Sequence, residues 1–169
     1  MGSEEAVNNE IEDLSKIIEL REETDPDVKS KICKKILEEL PDHFGIPQAV
    51  DDYVQKVKDQ FFVLAKLSNK PVGFIAIRDH NEFTSEVYVM GILKEFQGRC
   101  IGKRLIEKVE QHLKNKKYLT VKTLSPSNLD KGYEKTRAFY RGVGFLPLEE
   151  FTTLWDENNP CLFMIKSLN

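Results

Sequence analysis

The chain has 169 residues, of which 40% are hydrophobic and 31% charged, and its net charge is −3. That length suits one domain with a sizeable core, and that composition is ordinary for a globular protein. No apolar run approaches the roughly 20 residues that cross a bilayer, and an acidic chain lacks the basic face nucleic acid requires, so neither membrane nor nucleic acid is an expected partner.

In chain order, residues 1–11 are polar and acidic with no apolar h-region of a secretory signal. They are read as a segment outside the fold, disordered or in part an expression remnant, and the domain is expected over 12–169. Residues 14–20 (LSKIIEL) read as a first strand. Glu22-Glu23-Thr24-Asp25-Pro26-Asp27 then combines an N-cap candidate with a proline suited to the first helical position. Val28, Ile32, Cys33, Ile36, Leu37 and Leu40 continue it as one apolar helical stripe, which Pro41 ends. A second helix is expected over 47–58. Three strands at 61–66, 72–78 and 86–93 follow, separated by turn residues. The period then returns to helical over 102–114, with Leu105, Ile106, Val109 and Leu113 inward. A strand at 118–124, a helix at 133–142 closed by Gly144, and two strands at 145–155 and 161–168 complete the chain. The order β-α-α-β-β-β-α-β-α-β-β predicts a single-domain α+β fold with a mixed, mostly antiparallel sheet of about seven strands and four helices.

The scattered cysteines (33, 100, 161) and histidines (43, 80, 112) lack metal-ligand spacing, so no metal is expected. Their odd cysteine count fits a reducing, cytoplasmic location. For assembly, a homodimer is the expectation on symmetry grounds alone.

Gln97-Gly98-Arg99-Cys100-Ile101-Gly102-Lys103 lies between strand and helix. The amides and positive dipole end at a helix start suit a phosphate or pyrophosphate. It is not a P-loop, which needs four residues between its glycines and then Lys-Ser/Thr, nor a G-x-G-x-x-G dinucleotide turn. An ordinary strand–turn–helix junction would use the same glycines.

This heptapeptide resembles the acyl-coenzyme A signature of the GNAT superfamily of N-acetyltransferases, Q/R-x-x-G-x-G/A, with Cys100 where the first glycine is expected. Phe139-Tyr140-Arg141-Gly142-Val143-Gly144-Phe145 resembles the superfamily's F-Y-x-x-x-G-F. The resemblance covers about residues 12–168. It implies acetyl-CoA as cosubstrate, with the amides of Arg99 through Lys103 on its pyrophosphate and positive charge from Arg99, Lys103 and Arg104. Cys100, carrying a Cβ, is expected to avoid a strongly positive φ. Met90, Gly91 and Ile92 would hold the pantetheine arm and polarise the thioester carbonyl. Tyr140 would protonate the departing thiolate, and Asn128 corresponds to an asparagine that contacts coenzyme A. A cluster of Lys131, Lys135 and Arg137 either reaches the 3′-phosphate or is a solvated helix face.

Glu86 stands eleven positions before Gln97, the separation of the base glutamate in histone acetyltransferases of this superfamily. Desolvation would suit it to deprotonate the acceptor amine; otherwise it is a solvent-facing strand residue. Gly91 either marks a bulge that parts two parallel strands or relieves packing. The implied activity is transfer of acetyl from acetyl-CoA directly to a primary amine of a small molecule or peptide. The alternative is a non-catalytic acyl-CoA sensor, which needs neither Glu86 nor Tyr140. Glu149, Glu150, Asp156 and Glu157 would attract a cationic amine or are plain surface charge.

Overall fold

Among the described residues, eleven strands and α-helices follow one another in the expected order: β1 (Ile18–Glu22), α1 (Pro26–Glu38), α2 (Pro47–Lys56), β2 (Phe61–Leu67), β3 (Lys70–Asp79), β4 (Thr84–Ile92), α3 (Ile101–His112), β5 (Tyr118–Leu124), α4 (Gly132–Gly142), β6 (Leu146–Asp156) and β7 (Asn159–Ser167). The structure, a computed structural model, describes residues 17–128 and 131–169; the segment 1–11 lies outside them. The seven strands form one sheet in the order β1-β2-β3-β4-β5-β7-β6. By compactness the chain divides into two units: residues up to Ala76 with Val89–Val109, and Ile77–Tyr88 with Glu110–Asn169.

In the first unit, α1 begins as its sequence dictates. Asp25 Oδ1 accepts from the amides of Asp27 (2.9 Å) and Val28 (3.2 Å), satisfying two donors that a helix start leaves over. Ile32, Cys33, Ile36 and Leu37 are buried along one stripe. Val28, placed in that stripe by periodicity, is exposed, and Lys29 is buried in its stead. The Lys29 ammonium reaches past α2 to donate to the carbonyl of Gln60 (2.6 Å), so its aliphatic stem packs while its charge is met. Beneath, Phe62 of β2 stacks on Phe74 of β3 at 5.1 Å between centroids.

In the second unit, β4 runs parallel to β5, the ladder pairing Thr84 with Tyr118 through Val87 with Val121. It stops there, although both strands continue. β5 then pairs antiparallel with β7 along its whole length, and β7 with β6. Helix α4 ends in a Schellman motif. The amide of Phe145 donates to Tyr140 O (2.9 Å) and that of Gly144 to Arg141 O (3.1 Å), with Gly144 at φ 103°. The accompanying apolar contact is the edge-to-face packing of Tyr140 on Phe145, at 5.4 Å between centroids. The spacing of tyrosine, glycine and phenylalanine is therefore the geometry of a helix stop.

Candidate active site

The turn before α3 has the backbone of an anion cradle. Gly98 has φ 73° and Cys100 φ 63°, while Arg99 between them is not left-handed. Such alternation turns successive N–H groups toward one concavity. The Cys100 carbonyl accepts from the amide of Arg104 (3.1 Å), so the helical ladder starts at Cys100 and leaves the amides of Ile101, Gly102 and Lys103 outside it. A Cβ built on Gly98 would meet nothing within 4 Å; glycine is needed there for conformation rather than for space. These features fit a diphosphate.

The expectation that Cys100 avoids positive φ is corrected: it takes the left-handed conformation, at φ 63°. The reason is that φ 63° falls inside the small left-handed region open to L-residues, at a cost of about 1–2 kcal/mol. Arg104 at the start of α3 donates to the Ile18 carbonyl of β1 (3.0 Å) and keeps its charge. Arg99 Nε donates to Glu95 O (3.2 Å) and Gln97 Nε2 to Ile92 O (2.8 Å), which ties the turn to the end of β4. Lys103 is exposed. Met90 and Ile92 are half-buried on β4. Gly91 has packing as its reason: a Cβ there would lie 3.0 Å from Ile36 Cγ2 and 3.4 Å from Leu37 Cδ2 of α1.

In the second unit Glu86 is neither solvent-facing nor simply desolvated. Its side chain is 4% exposed, and Arg78, Lys122 and His80 surround it. Arg78 Nη2 donates to Oε1 (3.0 Å), His80 Nε2 lies 3.0 Å from the same oxygen, and Lys122 Nζ donates to Oε2 (2.8 Å). A carboxylate only accepts, so in the neutral ring His80 Nε2 carries the proton and Nδ1 keeps the lone pair. None of these three partners was named as a site residue from sequence. The one visible signal was Lys122 itself, a charge centred in the apolar strand 118–124. Cys161 is buried nearby; burial pushes its thiol up to about 11, with Lys122 pulling it down and Glu86 pushing it up.

Tyr140 is buried at the end of α4, between Phe139 and Phe145. Asn128 Nδ2 donates to Asn158 O (2.7 Å), holding the loop after β5 to the β6–β7 turn. Arg137, offered to a 3′-phosphate, is instead buried, donating to Leu124 O (2.7 Å). Among the described residues no group of three or more His, Cys, Asp or Glu could hold a metal ion.

This architecture is similar to that of several solved structures. A GNAT-family protein from Desulfovibrio desulfuricans aligns with TM-score 0.76 at 17% identity, over 90% of this chain and 99% of that one. An aminoglycoside 6′-N-acetyltransferase complexed with coenzyme A aligns with TM-score 0.70 at 17% identity, over 90% and 97%. A GNAT-family acetyltransferase from Elizabethkingia anophelis with acetyl-CoA bound aligns with TM-score 0.68 at 17% identity, over 89% and 98%. A comparison with curated proteins found no match. The sequence model of the Acetyltransferase (GNAT) family matches residues 17–145, which takes in the glycine turn, β4, and α4 with its helix stop. The chain belongs to the GNAT acetyltransferase family.

Proposed function

We propose that this chain transfers the acetyl group of acetyl-CoA directly to a primary amine of a small molecule or peptide. The observation that carries the reading is the alternating backbone of residues 98–100 opening onto the start of α3, in a chain of this family. Amides of Arg99 through Lys103 hold the pyrophosphate, Met90 through Ile92 take the pantetheine arm along β4, and Asn128 borders the coenzyme from the loop after β5. The cosubstrate supplies an activated thioester; the protein supplies position and protons.

Glu86 acts through His80. With the carboxylate fixed on Nε2, Nδ1 of the partly exposed ring takes the proton from the acceptor ammonium, and Glu86 stabilises the imidazolium that forms. Tyr140 gives its phenolic proton to sulfur as the C–S bond breaks.

Tyr140→Phe removes one oxygen and keeps the ring packing. The turnover number is expected to fall about 10- to 100-fold, at or below the usual general-acid range because a thiolate leaves fairly well. Coenzyme A affinity should hardly move, since the hydroxyl acts in the transition state. Full activity in Tyr140→Phe would return Tyr140 to a purely structural role. Glu86→Gln is expected to lower turnover by about 10²-fold near neutral pH, with the loss shrinking at high pH where free amine is abundant. Coenzyme A binding without thiol release toward any amine would favour the sensor reading.

A further inference from the structure

Around Glu86 the charges do not balance. Two permanent cations, Arg78 and Lys122, face one carboxylate, and His80 adds a third positive charge when protonated. Glu86 is shut away while Arg78 and Lys122 are 38% and 27% exposed, so the unspent charge points outward. The flanking Asp79 does not offset it, being 3.6 Å from its own partner Lys116. Donors are also in surplus. Arg78 Nε is buried with no acceptor, and a guanidinium has five N–H groups where Glu86 uses one.

The position of the surplus is equally telling. The last pair of the β4–β5 ladder is Val87 with Val121. Tyr88 and Lys122 are the first residues beyond it, where the two strands part. Arg78 lies over the Tyr88 ring at 5.0 Å, and Lys122 sits 6.0 Å from the Phe163 ring. Both cations are thus held against aromatic walls rather than trailing in solvent.

We infer that Arg78 and Lys122 form a carboxylate-recognition site for the acceptor, so that the amine acetylated by this chain carries a carboxylate, as an α-amino acid does. This rests on the acetyl-transfer reading above. Arg78 and Lys122 are specificity residues: they hold the far end of the acceptor and take no part in proton transfer. A polyamine or aminoglycoside would bring like charge to like charge at this opening. Positive charge beside the acceptor also disfavours its ammonium form, which aids attack.

The test is a matched panel: α-amino acids, their C-terminal amides, spermidine and an aminoglycoside, each with acetyl-CoA and read as free thiol. The best acceptor is expected to carry a carboxylate, and its amide to show a KM raised at least about tenfold with turnover little changed, the scale of a charge-assisted hydrogen bond. Arg78→Gln and Lys122→Gln should abolish that acid-over-amide ratio, which is read within each variant so that any common change in turnover through Glu86 cancels. Arg78→Lys and Lys122→Arg, which keep a partner on Glu86, should retain part of the ratio and serve if the glutamine variants do not fold. The inference is overturned if an amide equals its acid, if spermidine or the aminoglycoside is the best acceptor, or if the variants weaken acid and amide alike. If coenzyme A binds but no amine is acetylated, the transfer reading fails on its own. Calorimetric titration of N-acetyl amino acids against their amides then decides the site, selective binding of the acid that is lost in Arg78→Gln supporting it and equal binding overturning it.

Discussion

Cys100 carries a cost that glycine would not. In the left-handed region an L-residue gives up about 1–2 kcal/mol, and a thiol has no turn-forming group to recover it. Cys100→Gly should therefore raise stability by about 0.5–1 kcal/mol, since the added freedom of the unfolded chain offsets part of the relief. The expected readout is a small rise in melting temperature, with coenzyme A affinity equal or tighter. A lower melting temperature in Cys100→Gly would show that the thiol makes a compensating contact. The three cysteines also differ in reactivity. Cys33 is fully buried and its thiol is pushed up to about 12, that of Cys161 to about 11, whereas Cys100 is exposed. A thiol reagent at pH 8 should modify one cysteine rapidly in the folded protein and three in denaturant, and coenzyme A should protect the fast one. Protection absent at saturating coenzyme A would move the pyrophosphate away from Cys100. Cys33 further sets an alkaline limit. Below the usual value of 9.0 its thiol is neutral folded or unfolded; above it only the unfolded chain ionises, until about 12. Stability must then fall as pH rises through that window, and the fall should be shallower in Cys33→Ala.

At the level of elements, residue period and turn chemistry made most boundaries legible. The Asp25-Pro26 start, the interior strands and the 3.6-residue stripe of α3 are local properties, and they emerge where period and caps place them. Lys29 and Val28 show the limit. Both sit near the edge of the apolar stripe, and the choice between them is made by a carbonyl at Gln60, 31 positions away in the chain, which no local pattern encodes. Arg137 was misjudged for the same reason, being buried against the backbone carbonyl of Leu124. The helix stop of α4 was legible because its glycine is obligatory. Gly144 has φ 103°, outside the left-handed region alanine can enter cheaply, and a Cβ there would lie 3.1 Å from Lys166 Cε. Gly144→Ala should cost about 1–3 kcal/mol, lowering the melting temperature by about 2–4 °C per kcal/mol in a protein of this size. An unchanged melting temperature would mean that the stop is held by the Tyr140–Phe145 contact alone.

For the whole molecule, the net charge of −3 was a poor guide to the chemistry. A global sum cannot reveal that an arginine of β3, a histidine of the following turn and a lysine of β5 converge on one buried carboxylate. The glycine turn was readable because a helix start and its flanking glycines are contiguous; the Glu86 cluster was not, because its members are brought together only by strand pairing. The same contrast sets the last prediction. A ligand that binds only the folded chain stabilises it by RT ln(1 + [L]/Kd), about 2.7 kcal/mol at a hundredfold excess over Kd, or about 5–10 °C in melting temperature here. Coenzyme A should give that shift. Pantetheine, which lacks the pyrophosphate, should give little at the same concentration, because the amides after Gly98 would have nothing anionic to hold. Gly102→Val, placing a branched side chain at the second residue of α3, should lose most of the coenzyme A shift whatever its own ligand-free melting temperature. A pantetheine shift equal to that of coenzyme A would detach binding from the helix start and leave the turn an ordinary strand–helix junction.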